Sequence, residues 1–390
     1  MLNKHQFLEA VETCWERAVV LRHRLHRVPE PALGEYKTAE ILAEELISLD
    51  LSLQTQIAGT GIVAELATGR QGPCVALRAD MDALPVEEAN DFDYRSQHPG
   101  YSHCCGHDGN MAIVLGAARV LASLSDQLCG RVRLIFQPAE EASMGASAMI
   151  EAGAIDACPD AILAVHGWPG LAVGSVGARC GAMMAACDVF RITVLGQGGH
   201  GARPELARNP LMGVARVIEA LSDMNTPERI VSLCQAEVGE RPNIISDTGV
   251  LSGTIRSLDT GLRAQTLREV VERVDGTCHA VGLKAKVEFL EHTPVVSNDK
   301  RLYSLFRRVA GDLLGPRSFV AIETPSMGSE DFGFYLQQVP GLMCRIGVGA
   351  DSPELHNARF DFADGAVKAG MAVLAGMASM LCADDGPATQ

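Results

Sequence analysis

Residues that could do chemistry cluster in SHCCGHDGN, where Cys105, His107 and Asp108 crowd within four positions at the start of a helix-patterned stretch. A thiol, an imidazole and a carboxylate so placed admit several readings. They can hold a metal, pair a Cys nucleophile with a base, or combine a helix cap at Asp108 with a buried thiol. Cys105 and His107 are two apart, so an extended segment would turn both to one side, where they could grip one or two ions. RADMDALP supplies Asp80 and Asp82, QPAEE supplies Glu140 and Glu141, AVHGWP supplies His166, and PELHNARFDF supplies His356. Each metal-competent group sits at a strand end or in a loop. Their coincidence carries more weight than any one alone. On a strand end Glu140 and Glu141 would diverge, one to a metal and its neighbour to a water. A metal lowers the pKa of water to about 7 and a free carboxylate takes the proton, which suits hydrolysis. A borderline-soft ion such as Zn accepts this mixed S, N and O set, and Mn, Co or Ni could replace it.

Taken singly, each residue has a plainer reading. Cys105 would be a buried thiol, His166 a core histidine, and the Glu pair a solvated turn. Cys104 reads as packing. His5, His23, His98, His279 and His292 read as surface residues, and Glu87 and Glu88 as a solvated turn.

The elements that must position these groups follow from periodicity. Helices are expected over 4–25, 38–49, 108–124 and 144–153, with strands over 61–66, 74–79, 130–136 and 161–166. Strands alternating with helices imply a mostly parallel sheet, whose ligands gather beyond the strand carboxyl ends. From about 186 the pattern changes. Strands over 188–195, 230–239, 248–256 and 284–290 and helices over 209–223 and 260–281 run βαββαβ, a two-layer α+β sandwich. After Pro294 the alternation returns. Residues 186–294 therefore read as a domain inserted into an α/β domain formed by 1–185 and 295–390.

At 390 residues, with 47% hydrophobic and 21% charged residues, the chain reads as globular with room for two domains. The net charge of −15 disfavours a phosphate-backbone partner. No stretch reaches the roughly 18 apolar residues of a membrane span, and no signal peptide is evident. The 12 cysteines are scattered. Cys74, Cys158, Cys187, Cys234 and Cys344 have apolar neighbours and read as small buried hydrophobes. A reducing, cytoplasmic compartment is expected.

The segments LRHRLHRVPEPALGE, VALRADMDALPVEE, SHCCGHDGNMA, VRLIFQPAEEASMGASAMIEAGA, VHGWPGLAVGSV, GQGGHGARPE, RPNIISDTGVLSGTIRSLD, SMGSEDFGFYL and LHNARFDF occur in order along nearly the whole chain. Together they resemble the metal-dependent aminoacylase and carboxypeptidase family, in its hippurate hydrolase and N-acyl-amino-acid amidohydrolase branch. The resemblance implies an α/β catalytic domain interrupted by a small lid or dimerisation domain. It implies that Cys105, His107, Glu141, His166 and His356 bind two divalent metal ions and that Glu140 is the general base and acid. Asp82 would orient a metal-binding imidazole. His200 would stabilise the oxyanion, supplied across a dimer in some relatives. Asn243 and Arg256 would hold a substrate carboxylate, and Met327 and Gly328 would line the pocket. The substrate would be a small N-acyl amino acid, or a dipeptide if the chain is a dipeptidase or carboxypeptidase. A homodimer or larger homo-oligomer fits the lid's exposed edge strand. The chain departs from the family pattern at Asn110, where many relatives have a histidine, and at Glu205 and Asn209. A cysteine hydrolase using Cys105 and His107 is disfavoured by their closeness in sequence. A non-catalytic scaffold is disfavoured by the complete ligand set.

Overall fold

The computed structural model describes residues 3–383. The chain divides into two compact units. One runs up to Gly181 and resumes over Ser297–Thr324 and from Phe334 on; the other comprises Ala182–Val296 and Pro325–Gly333.

The first unit is built on an eight-stranded sheet in the order Ser52–Ile57, Gly61–Ala67, Arg131–Gln137, Cys74–Asp80, Ala161–Pro169, Gly341–Gly349, Val176–Ala178, Phe319–Ala321. The central strands Arg131–Gln137, Cys74–Asp80, Ala161–Pro169 and Gly341–Gly349 are mutually parallel. Their buried runs, such as CVALRAD, are what a sheet covered on both faces requires. Antiparallel pairing occurs toward the edges, between Ser52–Ile57, Gly61–Ala67 and Arg131–Gln137, and between Gly341–Gly349 and Val176–Ala178. The edge strand Ser52–Ile57 had no sequence signal, because SLQTQI is mostly exposed and polar.

Helices Lys4–His26, His107–Ser123 and Asp364–Leu381 contribute to one continuous core with the sheet. Asn3 caps the first, accepting the His5 N–H at 2.9 Å. His107–Ser123 is buried over nearly its whole length. A Cβ at Gly109 would lie 2.3 Å from the Phe362 ring, so the glycine is what lets that ring pack against the first turn. Because parallel strands end on one edge, Asp80, the turn after Gln137, and His166 arrive at the same rim. The last of these strands continues past His166 to Pro169, three residues beyond its expected end.

The second unit has a four-stranded antiparallel sheet, Arg229–Val238, Thr248–Ser257, Ala186–Leu195, Lys284–Thr293, packed with helices Pro210–Leu221 and Thr260–Ala280. This is the expected βαββαβ sandwich. The loop Pro325–Gly333 groups with it, although the sequence pattern assigned that loop to the flanking domain.

All 12 cysteines are free. Cys74, Cys187 and Cys344 are buried, but Cys158 and Cys234 are exposed, against expectation. Cys158 lies in a turn with φ 35°, and Cys234 sits where the strand register slips between Leu233 and Gln235. Apolar neighbours in sequence do not keep a turn or a bulge inside. No described helix is long and apolar enough to cross a membrane.

Candidate metal centre

The site starts from a backbone break. The segment from Cys105 to His107 is not extended: Gly106 adopts φ 87° and is the N-cap of the following helix. That left-handed turn, natural only to glycine, brings the Cys105 thiol and the His107 imidazole together with His166. Their ligand atoms lie within 4.8 Å of one another. Cys105 Sγ is 3.5 Å from His166 Nε2. Glu140 and Glu141 follow Ala139, which is held at φ 53°, so they stand on a tight turn rather than a strand end. They converge instead of diverging, each placing an oxygen near His107. His356 adopts φ 67° and directs Nε2 to 3.6 Å from Glu141 Oε1, with Cys105 completing that group. Non-glycine residues in the left-handed region at both Ala139 and His356 are local strain concentrated at this centre.

The imidazoles are aimed by carbonyls. His107 Nδ1 lies 2.8 Å from the Asp82 carbonyl oxygen, and His166 Nδ1 lies 2.7 Å from that of Gly167. A carbonyl only accepts, so Nδ1 is the donor in each ring and Nε2 is the atom each ring turns toward the cluster. It is thus the main chain of Asp82 that sets the His107 ring, with its carboxylate farther off at 3.5 Å. That carboxylate accepts the N–H groups of both Glu140 and Glu141 at 3.0 Å, and so fixes the turn carrying them. Glu35 supports the same turn by accepting the Ala139 N–H at 2.9 Å.

The charge balance asks for a cation. His107 Nε2 and Glu141 Oε1 are buried without a hydrogen-bond partner, 3.9 Å apart. Burial opposes charge on His107, yet Asp80, Asp82 and Glu141 overcome it and push its pKa up to about 10. Burial likewise opposes the Asp80 carboxylate, but His107 and Arg78 hold it down at about 2. Burial, then Glu141 and Glu140, push the Cys105 thiol well above its ordinary range. A thiol so disfavoured as a free anion is a poor nucleophile and a good ligand for a cation that supplies the missing charge. Two orphaned atoms and a mixed S, N and O donor set fit two divalent ions, with Cys105, His107, Glu141, His166 and His356 as the residues that would hold them.

Asp108 is not the helix cap. It is fully buried, meeting His26 Nδ1 at 2.8 Å and Arg22 Nη1 at 3.3 Å. Arg22 also engages Asp361 and Asp364, each at 2.9 Å. His26 reaches Glu88 at 3.2 Å, so Glu88 is a buried acceptor rather than part of a solvated turn. His23 is half-buried, stacked 3.7 Å from Tyr94 and paired with Asp364. His98 is part-buried, and its Nδ1–H donates to the Pro29 carbonyl at 2.9 Å. His5, His279 and His292 are exposed, as expected. Cys104 packs in the core. Arg22, His26 and His103 went unmarked in the sequence reading, though the first two lie in the segment LRHRLHRVPEPALGE. Asn110 donates to Asp80 Oδ1 at 2.9 Å and accepts the Gly167 N–H at 3.2 Å.

The remaining expected residues lie in the second unit. His200 is exposed on a two-residue strand paired with Ile244–Ile245. Its Nδ1 accepts the Ala202 N–H at 3.0 Å, which leaves Nε2–H free to donate in the neutral ring. Asn243 is exposed, and its carbonyl accepts the Gly201 N–H. Arg256 donates to the Met327 carbonyl at 2.8 Å, while Gly328 donates to Ser326 Oγ at 3.0 Å. Glu205 is exposed, and Asn209 caps the helix Pro210–Leu221 by accepting the Leu211 N–H.

Residues 76–380 match the model of peptidase family M20/M25/M40. The chain is 34% identical over 354 residues to the N-acetyl-L-cysteine deacetylase of Bacillus subtilis, covering 89% of this chain and 84% of that one. It is 35% identical over 340 residues to an IAA-amino acid hydrolase of Arabidopsis thaliana, covering 85% and 77%. Among solved structures, a Bacillus subtilis dinuclear metal binding peptidase from the M20 family superposes with a TM-score of 0.86 at 28% identity, covering 95% of this chain and 99% of that one. The family model covers most of the chain and the relatives share about a third of its residues, so the chain belongs to peptidase family M20/M25/M40 and is a metal-dependent hydrolase of amide bonds.

Proposed function

We propose that the protein hydrolyses the amide bond of N-acyl amino acids, releasing a carboxylate and a free amino acid. The observation that carries this reading is Glu140, nine-tenths buried beside His107 and Glu141 within the ligand cluster. Two divalent ions held by Cys105, His107, Glu141, His166 and His356 would supply Lewis acidity and lower the pKa of water to about 7. Zn, Mn, Co and Ni all suit these donors. Glu140 takes the proton of the attacking water and passes it to the leaving amine. Asp82 keeps Glu140 in register by binding the main chain of its turn. His200 donates its Nε2–H to the oxyanion, a contribution commonly about 3–4 kcal/mol. Asn243 and Arg256 hold the substrate's carboxylate, and Met327 and Gly328 line its pocket. The Ala182–Val296 unit serves as lid and dimerisation element, and the enzyme works in the cytoplasm as a homodimer. The names of the deacetylase and the amino acid hydrolase support the N-acyl reading. The peptidase description of the structural neighbour favours a second reading, cleavage of dipeptides by the same residues.

The test is a panel of N-acetyl and N-benzoyl amino acids and dipeptides, run on wild type and Glu140→Gln. Turnover of the acyl substrates, reduced by about 10²–10⁴-fold in the variant with metal content unchanged, is expected. Turnover of dipeptides alone would select the second reading. Near-wild-type activity in Glu140→Gln would remove Glu140 from the mechanism.

A further inference from the structure

Arg345 is a cation without an anion. Its residue is 7% exposed, and among the described residues its guanidinium makes no hydrogen bond or ion pair; Nε is buried and unpartnered. Burial alone acts on its pKa, lowering it to about 10, with no carboxylate to offset the loss of water. Buried arginines are ordinarily matched by a carboxylate, as Arg22 and Arg78 are here. An unmatched one is costly, which makes it a feature in need of a partner.

Its position indicates what that partner is. In the strand Gly341–Gly349, Leu342, Cys344, Ile346 and Val348 belong to the main core, so Arg345 projects from the opposite face. Arg345 stands in direct register with His166 on the neighbouring parallel strand. Leu163 and Val165 enter that same core, which leaves His166 and Trp168 on the face that Arg345 shares. The guanidinium lies 3.6 Å over the Trp168 ring, and Trp168 meets the His166 ring edge-on at 5.9 Å. The cation is therefore one aromatic ring away from a metal ligand. Stacking on Trp168 fixes the plane of the guanidinium while leaving its N–H edge to bind.

We propose that Arg345 is a specificity residue that binds a carboxylate of the substrate. This rests on the reading of the protein as an amidohydrolase of N-acyl amino acids, and it adds that substrates are selected for negative charge. A carboxylate on the acyl half would be a second charge, beside the one assigned to Asn243 and Arg256; a carboxylate on the amino-acid half would transfer that assignment to Arg345. Planar, bidentate recognition of a carboxylate is what a fixed guanidinium does best.

The experiment uses the full chain loaded with Mn. The probes are N-acetyl-L-methionine, with its charge on the amino-acid half, N-succinyl-L-methioninamide, with its charge on the acyl half, and uncharged N-acetyl-L-methioninamide. Wild type, Arg345→Met and Arg345→Lys are compared for kcat/KM, and for binding by calorimetry in a Glu140→Gln background. Arg345→Met should weaken one charged probe by about 10- to 100-fold, chiefly in KM, and leave the uncharged one nearly unchanged. Arg345→Lys should recover part of the difference. The probe that loses shows which half carries the recognised carboxylate. An equal loss on all three probes, no loss on any, or a wild type that does not tell charged from uncharged would overturn the proposal. Charge discrimination in binding without hydrolysis of any probe would overturn the assigned activity and leave Arg345's role standing. Equal melting temperatures of the variants confirm that the comparison is between folded proteins.

Discussion

At the scale of single residues, the centre depends on groups that hold the ligands as much as on the ligands themselves. Asp82 is the clearest case, since one residue orients His107 through its carbonyl and the Glu140–Glu141 turn through its carboxylate. Asp82→Ala leaves both N–H groups without their acceptor and should lower metal affinity about 10- to 100-fold, read by competition with a metal-sensitive dye. Unchanged affinity would mean that the turn holds itself. The residue types that gather at this centre were legible in the sequence because thiol, imidazole and carboxylate recur in the loops and turns that follow the strands. Their geometry was not. Gly106 converts an extended reading of Cys105–His107 into a left-handed turn, and Ala139 does the same before Glu140. A positive φ at alanine has no sequence signature, since the surrounding contacts impose it. Asp108 was misplaced for a related reason. Local rules put an acid near a helix start at the cap, but Arg22 and His26, more than 80 positions away in sequence, draw it inward.

At the scale of elements, the Arg22–His26–Asp108 network ties the helix Lys4–His26 to the start of His107–Ser123. Burial opposes the charge on His26, but Asp108 and the hydrogen bonds to it and Glu88 raise its pKa to about 9. A raised histidine pKa contributes stability in full below its unfolded value near 6.5, and that contribution is lost as pH rises through about 9. Burial also opposes charge on Asp108, but His26 and Arg22 hold its pKa below the usual range. Its contribution is therefore present above about pH 4 and lost only in strong acid. Chemical denaturation should show stability declining between about pH 6.5 and 9.5 in wild type, with the decline diminished in His26→Gln. A slope that survives in the variant would assign it elsewhere. Arg22→Met, which strands the buried Asp108 and unpairs the half-buried Asp361 and Asp364, should cost about 3–5 kcal/mol. In the helix His107–Ser123, Gly109→Ala would press a methyl into Phe362 and should cost about 1–3 kcal/mol. The long, periodic elements were readable to within a few residues. The short and edge strands were not, because Ser52–Ile57 buries too little to leave a pattern.

At the scale of the whole molecule, the two units have separate hydrophobic cores. The βαββαβ order of the second was plain from the change in periodicity near residue 186. The grouping of Pro325–Gly333 with it was not, because that loop belongs to the unit through contacts distant in sequence, such as Ala185 N–H to the Gly328 carbonyl. The residues proposed as metal ligands, Cys105, His107, Glu141, His166 and His356, all belong to the first unit, so metal held by them should stabilise that unit selectively. At 100 times the dissociation constant the gain is about 2.7 kcal/mol. Calorimetry should then show the transition of that unit moving upward with metal while the other stays. A single transition shifting as one would show that the units unfold together.

The most direct test of the two-ion centre is a metal titration of chelator-stripped protein, followed by calorimetry in buffers of different ionisation enthalpy, with amide hydrolysis measured alongside. The geometry predicts two divalent ions per chain, release of protons on binding because Cys105 and His107 start protonated, and activity that appears only with loading. Binding of fewer than two ions, or full activity in the stripped protein, would contradict it.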